Sequence, residues 1–249
     1  MVVRTLSEIE REEAVVRLNR DYSRASAFDV LSHSIKTEFP GKVCVVSSFG
    51  TESALLLHIV AQVDPNVPVF FLDTRKHFPE TDEYVGTLTG ALGLKDVRRI
   101  SPNEAHLIAD DPDGTLHERD TDRCCYIRKT LPMVRVLQPY TAWISGRKRF
   151  QGGERAELQL FEAEDKWIKI NPLHRTSQDD IRKHFDALKL PHHPLRFNGY
   201  PSIDCAPCTS PVDETDTDPR AGRWAGQDKS ECGIHIIDGK VVRGTPDSE

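Results

Sequence analysis

Apolar residues recur along the first 190 or so positions in two rhythms, and their alternation predicts the fold class. Near the N-terminus Leu6, Ile9 and Val16 suggest one helical face, and Phe28, Leu31 and Ile35 keep the 3–4 spacing of a second. Pro40-Gly41 breaks that pattern. Val43-Cys44-Val45-Val46 then reads as a short buried strand, with Cys44 a small core residue. It runs directly into Ser47-Ser48-Phe49-Gly50-Thr51-Glu52-Ser53, after which Leu56, Ile59, Val60 and Val63 share one side of a helix. Val67 to Leu72 is a second strand, ending in Asp73-Thr74. Pro79 suits the first position of a helix reaching Leu92, and Val97 to Ile100 is a third strand. A helix is expected from Cys124 to Leu137, a strand from Ala142 to Ser145, and an edge strand at Trp167–Ile170. Ser177 caps a helix that runs to Leu188. Strands alternating with helices predict an α/β fold with a doubly wound, mostly parallel sheet.

One domain is the expectation for 249 residues. It divides into N-terminal helices (1–40), an α/β core (41–190) and a Pro-, Gly- and Asp-rich C-terminal segment (191–249) that holds three of the six cysteines. A chain of this length buries a sizeable core, so cysteine staples are not needed. Met1 to Glu13 is charged and has no apolar signal-peptide core, and no apolar run approaches the roughly 20 residues of a membrane span. The expected location is therefore cytoplasmic, where clustered cysteines point to metal binding or catalysis rather than disulfides. A net charge of −6 argues against a nucleic-acid binder. Local basic groups at Arg147-Lys148-Arg149, Arg155, Arg220 and Arg223 instead suggest a small anionic ligand.

Five motifs carry candidate chemistry. A hydroxyl-rich turn such as Ser47–Ser53, between a strand and a helix N-terminus, offers N–H groups to an anion, or is an ordinary capped connection. It resembles the Ser-Gly-Gly-x-Asp-Ser loop of the adenine-nucleotide α-hydrolase-like superfamily. Ser48, Gly50 and Ser53 match, while Phe49 replaces a glycine and Glu52 the aspartate. Phe49 is expected to crowd the space of a pyrophosphate, which favours a nucleotide with fewer phosphates. Asp73-Thr74 reads a nucleoside or caps a helix. Cys124-Cys125 and Cys205-Ala206-Pro207-Cys208 form a quartet. Adjacent helical side chains diverge by about 100°, which suits different irons of a 4Fe–4S cluster better than one zinc ion, although zinc and plain buried thiols stay open. In Glu231-Cys232-Gly233-Ile234-His235, a nearby base would favour the Cys232 thiolate, or the cysteine is simply exposed. Trp143-Ile144-Ser145-Gly146-Arg147-Lys148-Arg149 runs from a strand into a basic loop suited to phosphate or sulfate.

Together these elements resemble the phosphoadenylyl-sulfate/adenylyl-sulfate reductase family of assimilatory sulfate reduction, most specifically through Cys124-Cys125-x-x-Arg128-Lys129, Cys205-x-x-Cys208 and Glu231-Cys232-Gly233-Ile234-His235. The resemblance implies a 4Fe–4S cluster on Cys124, Cys125, Cys205 and Cys208, and Cys232 as nucleophile. It implies Lys129 between cluster and substrate, Ser47 to Ser53 on the nucleotide, and Arg147, Lys148, Arg149, Arg220, Arg223 and His235 facing phosphate and sulfate. The implied reaction reduces adenylyl sulfate (APS) to sulfite and AMP through an S-sulfocysteine, with thioredoxin or a similar dithiol as donor, in sulfate assimilation and cysteine biosynthesis. The cluster would act electrostatically and structurally, through Lys129. No nucleic-acid or membrane partner is expected, and homo-oligomerisation is open. The alternatives are use of the 3′-phosphorylated substrate (PAPS), alone or with APS, an ATP-dependent iron–sulfur tRNA-thiolating enzyme, and a zinc-bound partner module.

Overall fold

The computed structural model describes residues 7–213, 215–216, 218–227, 229 and 231, with the backbone of 236–237 and 240–241. Leu6, Cys232 and His235 lie outside the described residues.

Ser7 opens α1 (Glu8–Asp21) through a capping box with Glu10. Ser26 caps α2 (Ala27–His33), which runs into a π turn at Ser34–Glu38. Then β1 (Val43–Ser47), α3 (Ser53–Val63), β2 (Val69–Leu72), α4 (Pro79–Leu92) and β3 (Val97–Ile100) alternate as the apolar rhythm requires. Pro79 does occupy the first turn of α4, and Gly93, left-handed at φ 67°, ends it. Short helices α5 (Glu104–Asp110), α6 (Leu116–Arg119) and α7 (Thr121–Cys125) lead to α8 (Leu131–Leu137) and β4 (Ala142–Ile144). The hairpin β5 (Phe161–Glu164) and β6 (Trp167–Ile170) and the Ser177-capped α9 (Gln178–Leu188) complete the core.

The six strands lie in the order β3-β2-β1-β4-β6-β5, all parallel except β5 against β6. Side chains alternate faces, as a strand period of two dictates. Val43, Val45, Val69, Phe71, Ile168 and Ile170 join the larger core beneath α1–α4 and α9, whereas Cys44, Phe70, Leu72, Trp143 and Trp167 pack against Met133 and Leu137 of α8. Both faces are therefore covered, which is why the strands read as near-continuous apolar runs. Crossovers leave β1 toward β2 on one side, and β4 lies on its other side. The crevice between the carboxyl ends of β1 and β4 is thus the topological switch point, where open α/β sheets bind ligands.

Four sequence expectations change. Trp167–Ile170 is an interior strand, and the edge is β5, a polar segment that periodicity passed over. Within β6 the Lys169 side chain is 3% exposed, with its ammonium 3.1 Å from Glu164 and 3.3 Å from Glu162 across the hairpin. On α1, Ile9 and Val16 are each 69% exposed, and Leu18 is the buried residue. The helix is registered by Asn19, which exchanges two hydrogen bonds with the Phe161 backbone on the edge strand. Phe28 on α2 is likewise exposed, while Leu31 and Ile35 are buried. The expected single helix from Cys124 to Leu137 is interrupted by a π turn at Tyr126–Thr130, closed by Leu131 N–H donating to Tyr126 O. Pro132 explains it: it lacks the N–H that would reach the Arg128 carbonyl, and its ring crowds that carbonyl. Among the described residues no helix is long and apolar enough to cross a membrane.

Candidate active site

A cavity of about 210 Å³ opens at the switch point. Its floor is the turn after β1. There the Phe49 N–H donates to Ser47 Oγ at 3.1 Å, Ser53 Oγ donates to the Gly50 carbonyl, and Glu52 precedes the first residue of α3. The loop after β4 supplies Ser145, Gly146, Arg147 and Lys148, and the segment 201–204 forms a third wall. Thr51 Oγ1 ties that wall down by donating to the Pro201 carbonyl at 2.6 Å. Gly50 permits the approach, since a Cβ there would stand 3.0 Å from the Ile203 carbonyl oxygen.

The cavity's charges are mutually arranged. Lys148 donates to Glu52 at 2.8 Å, and Gln151 adds a bond to the same carboxylate at 3.0 Å. Asp204 sits between Lys129, which donates to Oδ2, and the Arg223 guanidinium at 3.1 Å. Burial by itself would raise the Asp204 carboxyl, but Lys129 and Arg223 outweigh it and hold the group far below the usual carboxylate range. Glu231 lies among Arg147, Arg155 and Arg220. Burial raises its carboxyl too, and the three arginines bring it down to about 2.

A second, smaller cavity adjoins the first. Cys124, Cys125, Cys205 and Cys208 all line it, together with Lys76, His117, Arg128 and Lys129. The π turn presents both Arg128 and Lys129 inward. Arg128 is anchored by the Asp111 carboxylate and the Thr74 carbonyl, the latter at 2.8 Å. Cys205 pairs in an isolated antiparallel bridge with His77, and its sulfur lies 3.2 Å from Thr74 Oγ1. Burial pushes the Cys124 and Cys208 thiols up. Among the described residues no three His, Cys, Asp or Glu side chains are grouped closely enough to hold one metal ion; the four cysteines line one small cavity. Lys129 lines both cavities and so stands between them.

Residues 42–211 match the family model of the phosphoadenosine phosphosulfate reductase domain. The chain is 45% identical to an adenosine 5′-phosphosulfate reductase of Mesorhizobium japonicum, over 86% of this chain and 84% of the relative. The chain belongs to the phosphoadenylyl-sulfate/adenylyl-sulfate reductase family. It is thereby an enzyme of a family of oxidoreductases that act on sulfur. An adenosine 5′-phosphosulfate reductase of Mycolicibacterium smegmatis is 35% identical over 94% of this chain and 98% of its own. The fold is shared with a phosphoadenylyl-sulfate reductase from Candida auris (TM-score 0.68, 24% identity, 84% and 99% of the two chains). It is shared also with the FMN adenylyltransferase of Candida glabrata (TM-score 0.54, 14% identity, 82% and 77% covered). These are adenine-nucleotide α-hydrolase-like folds.

The switch-point cavity gathers Ser47, Ser48, Gly50, Thr51, Glu52, Ser53, Lys129, Arg147, Lys148, Arg220 and Arg223. Four expected ligand residues do not line it. Phe49 is fully buried, left-handed at φ 51°, and packs edge-on against Phe71 at 5.5 Å. It therefore leaves the loop's upper space open instead of crowding it. Asp73 accepts from Arg75 N–H at 2.8 Å and pairs with Arg99 at 3.1 Å. Thr74 faces Cys205, and Arg149 donates to the Leu158 carbonyl at 2.8 Å. Two carboxylates with no predicted site role, Asp204 and Glu231, also line the cavity, together with Arg155, which the sequence marked only as one of the basic residues suited to an anion. The adjacency of Glu231 to Cys232 was a signal for that residue, while nothing local marks Asp204.

Proposed function

We propose that this reductase-family enzyme reduces adenylyl sulfate to sulfite and AMP, with Cys232 as nucleophile and thioredoxin or a similar dithiol protein as donor. The observation that carries the reading is the pairing of two cavities through Lys129: a cation-lined cavity at the β1–β4 switch point beside a cavity walled by four cysteines. Glu231, the residue before Cys232, lines the first.

The chain's own groups divide the work. The Ser47–Ser53 turn and the start of α3 would hold the AMP portion by N–H groups and helix dipole. Arg147, Arg220, Arg223 and Lys129 would face the phosphosulfate, where negative charge shifts onto departing AMP. The Cys232 thiolate attacks the sulfuryl sulfur. An S–S bond forms, the bond from sulfur to the bridging oxygen breaks, and AMP leaves with that electron pair. A donor thiolate then attacks the Cys232 sulfur and expels sulfite. The donor's second thiol resolves the mixed disulfide and returns Cys232 as a thiol. The dithiol supplies both electrons, and His235 is assigned to the tail's acid–base work.

The cysteine quartet fits a 4Fe–4S cluster on chemical grounds. The donors are all sulfur and are buried or half-buried, and Lys76, Arg128 and Lys129 line the same cavity, where they would offset negative charge. When bound, the cluster supplies fixed charge and a tie between α7 and the C-terminal segment.

The test is sulfite release by anaerobically purified protein with reduced thioredoxin, offering APS and PAPS side by side. APS-selective sulfite, AMP release in a single turnover without donor, and loss of both in Cys232→Ser are expected. Equal use of PAPS would overturn the specificity, and sulfite from Cys232→Ser would overturn the covalent route.

A further inference from the structure

One carboxylate on the nucleotide turn is held by one oxygen only. Glu52 lines the switch-point cavity, its side chain 19% exposed. Lys148 Nζ and Gln151 Nε2 both donate to Oε2, at 2.8 and 3.0 Å, and among the described residues no donor reaches Oε1. The groups that hold Glu52 are themselves fixed. The Lys148 side chain is 4% exposed, and Gln151 Oε1 accepts from the Lys148 N–H at 3.2 Å and from Arg155 Nη1. Two donors on one oxygen set the carboxylate's direction, and the second oxygen keeps its capacity to accept.

What that oxygen can meet follows from the chemistry of the ligand. A carboxylate accepts hydrogen bonds and donates none. A phosphosulfate carries acceptors and negative charge, so it offers Oε1 no partner. The donors on an adenine nucleotide are the ribose hydroxyls and the 6-amino group. Glu52 immediately precedes α3, on the turn assigned to the AMP portion. The ribose is bonded directly to the phosphate that such a turn attracts, whereas the amino group stands at the far edge of the base. The hydroxyls are therefore the donors that suit this place. A phosphate on the 3′-oxygen would remove the donor and set a second anion against the carboxylate, and Lys148 is already buried against Oε2.

We propose that Glu52 accepts a hydrogen bond from the ribose 3′-hydroxyl and thereby rejects a 3′-phosphate, making it a specificity-determining residue that Lys148 and Gln151 position. This deepens the proposed function and rests on the switch-point cavity being the nucleotide site.

The test is nucleotide binding by calorimetry on full-length protein purified anaerobically, which needs no turnover. The probes are AMP, 3′-deoxy-AMP and adenosine 3′,5′-bisphosphate. The parent should bind 3′-deoxy-AMP about tenfold and the bisphosphate about a hundredfold more weakly than AMP. In Glu52→Gln the amide keeps the shape, loses the charge and can donate to a phosphate, so the preference for AMP over the bisphosphate should fall about tenfold. Because that change leaves the buried Lys148 without its anion, Glu52→Gln/Lys148→Gln removes the pair together and should show the same relaxed ratio. Lys148→Gln alone should narrow the gap between AMP and 3′-deoxy-AMP. A merely structural role would weaken all three nucleotides alike and leave the ratios at their parent values. Equal binding of AMP and 3′-deoxy-AMP by the parent would overturn the proposal, as would a parental ratio of AMP to bisphosphate in both Glu52→Gln and the double variant. Absence of AMP binding by the parent would overturn the nucleotide site itself. The expected binding ratios with no sulfite from APS would overturn the proposed reaction and leave the assignment of Glu52 standing.

Discussion

Asp204→Asn is the sharpest test of how the two cavities are joined. The substitution keeps the side chain's shape and removes one charge. Asp204, Lys129 and Arg223 have side chains 9%, 5% and 5% exposed, so water compensates none of them well. Each ion pair near 3 Å attracts by roughly 5 kcal/mol at an effective dielectric of 20, and desolvation offsets most of that. Removing that anion takes away a charge shared by two buried cations, a loss of about 3–5 kcal/mol. Urea denaturation, followed by tryptophan fluorescence on anaerobic protein, should show the midpoint falling by about 1–1.5 M at neutral pH. The sign with pH is also set. The carboxyl is depressed in the fold relative to its ordinary 3.8, so its stabilisation is complete above that value and wanes as pH falls below it. The gap between parent and variant should therefore be full at pH 7 and narrow toward pH 3. AMP should bind more tightly to the variant, because Lys129 and Arg223 both line the cavity. An unchanged midpoint at pH 7 would refute the reasoning, as would a gap that widens in acid.

Three further outcomes follow from the packing. Gly222→Ala should dislodge the segment that carries Arg220 and Arg223, since a Cβ there would lie 2.1 Å from the Ser210 carbonyl oxygen; the check is a rise in KM for APS together with faster proteolysis near 222. Phe49→Ala should cost about 3–5 kcal/mol of stability in a chemical denaturation curve, yet leave KM near the parent value, because the ring faces Phe71 and not the cavity. On the proposed cluster, stripping iron anaerobically with a chelator should lower Tm by about 5 °C or more and abolish turnover, since four buried or half-buried sulfurs would lose their common partner; an unchanged Tm would exclude a structural role for it.

Much of this enzyme is legible in its sequence, because covalent spacing encodes local rhythm. The apolar run Val43–Val46, Pro79 at the start of α4 and the Ser177 cap each specify an element from a few neighbouring residues. The two cysteine pairs, which line one cavity, and Arg147 and Lys148, which line the other, can be singled out by residue type alone. What tertiary structure decided lies in pairings between distant positions. Trp167–Ile170 became an interior strand, and Lys169 a buried cation, only because the hairpin brought Glu162 and Glu164 over it. Phe49 turned into the core because the left-handed turn and Phe71 offered burial there, which no local pattern announces. Pro132 was visible, but its π turn matters because it aims Arg128 and Lys129 at Asp111 and Asp204, one of them 75 residues away. Arg155 and Glu231 are 76 residues apart, and nothing in the chain marks them as partners. A charge is read as exposed until the fold supplies its partner; desolvation makes the pairing obligatory, and only the packed molecule determines which partner that is.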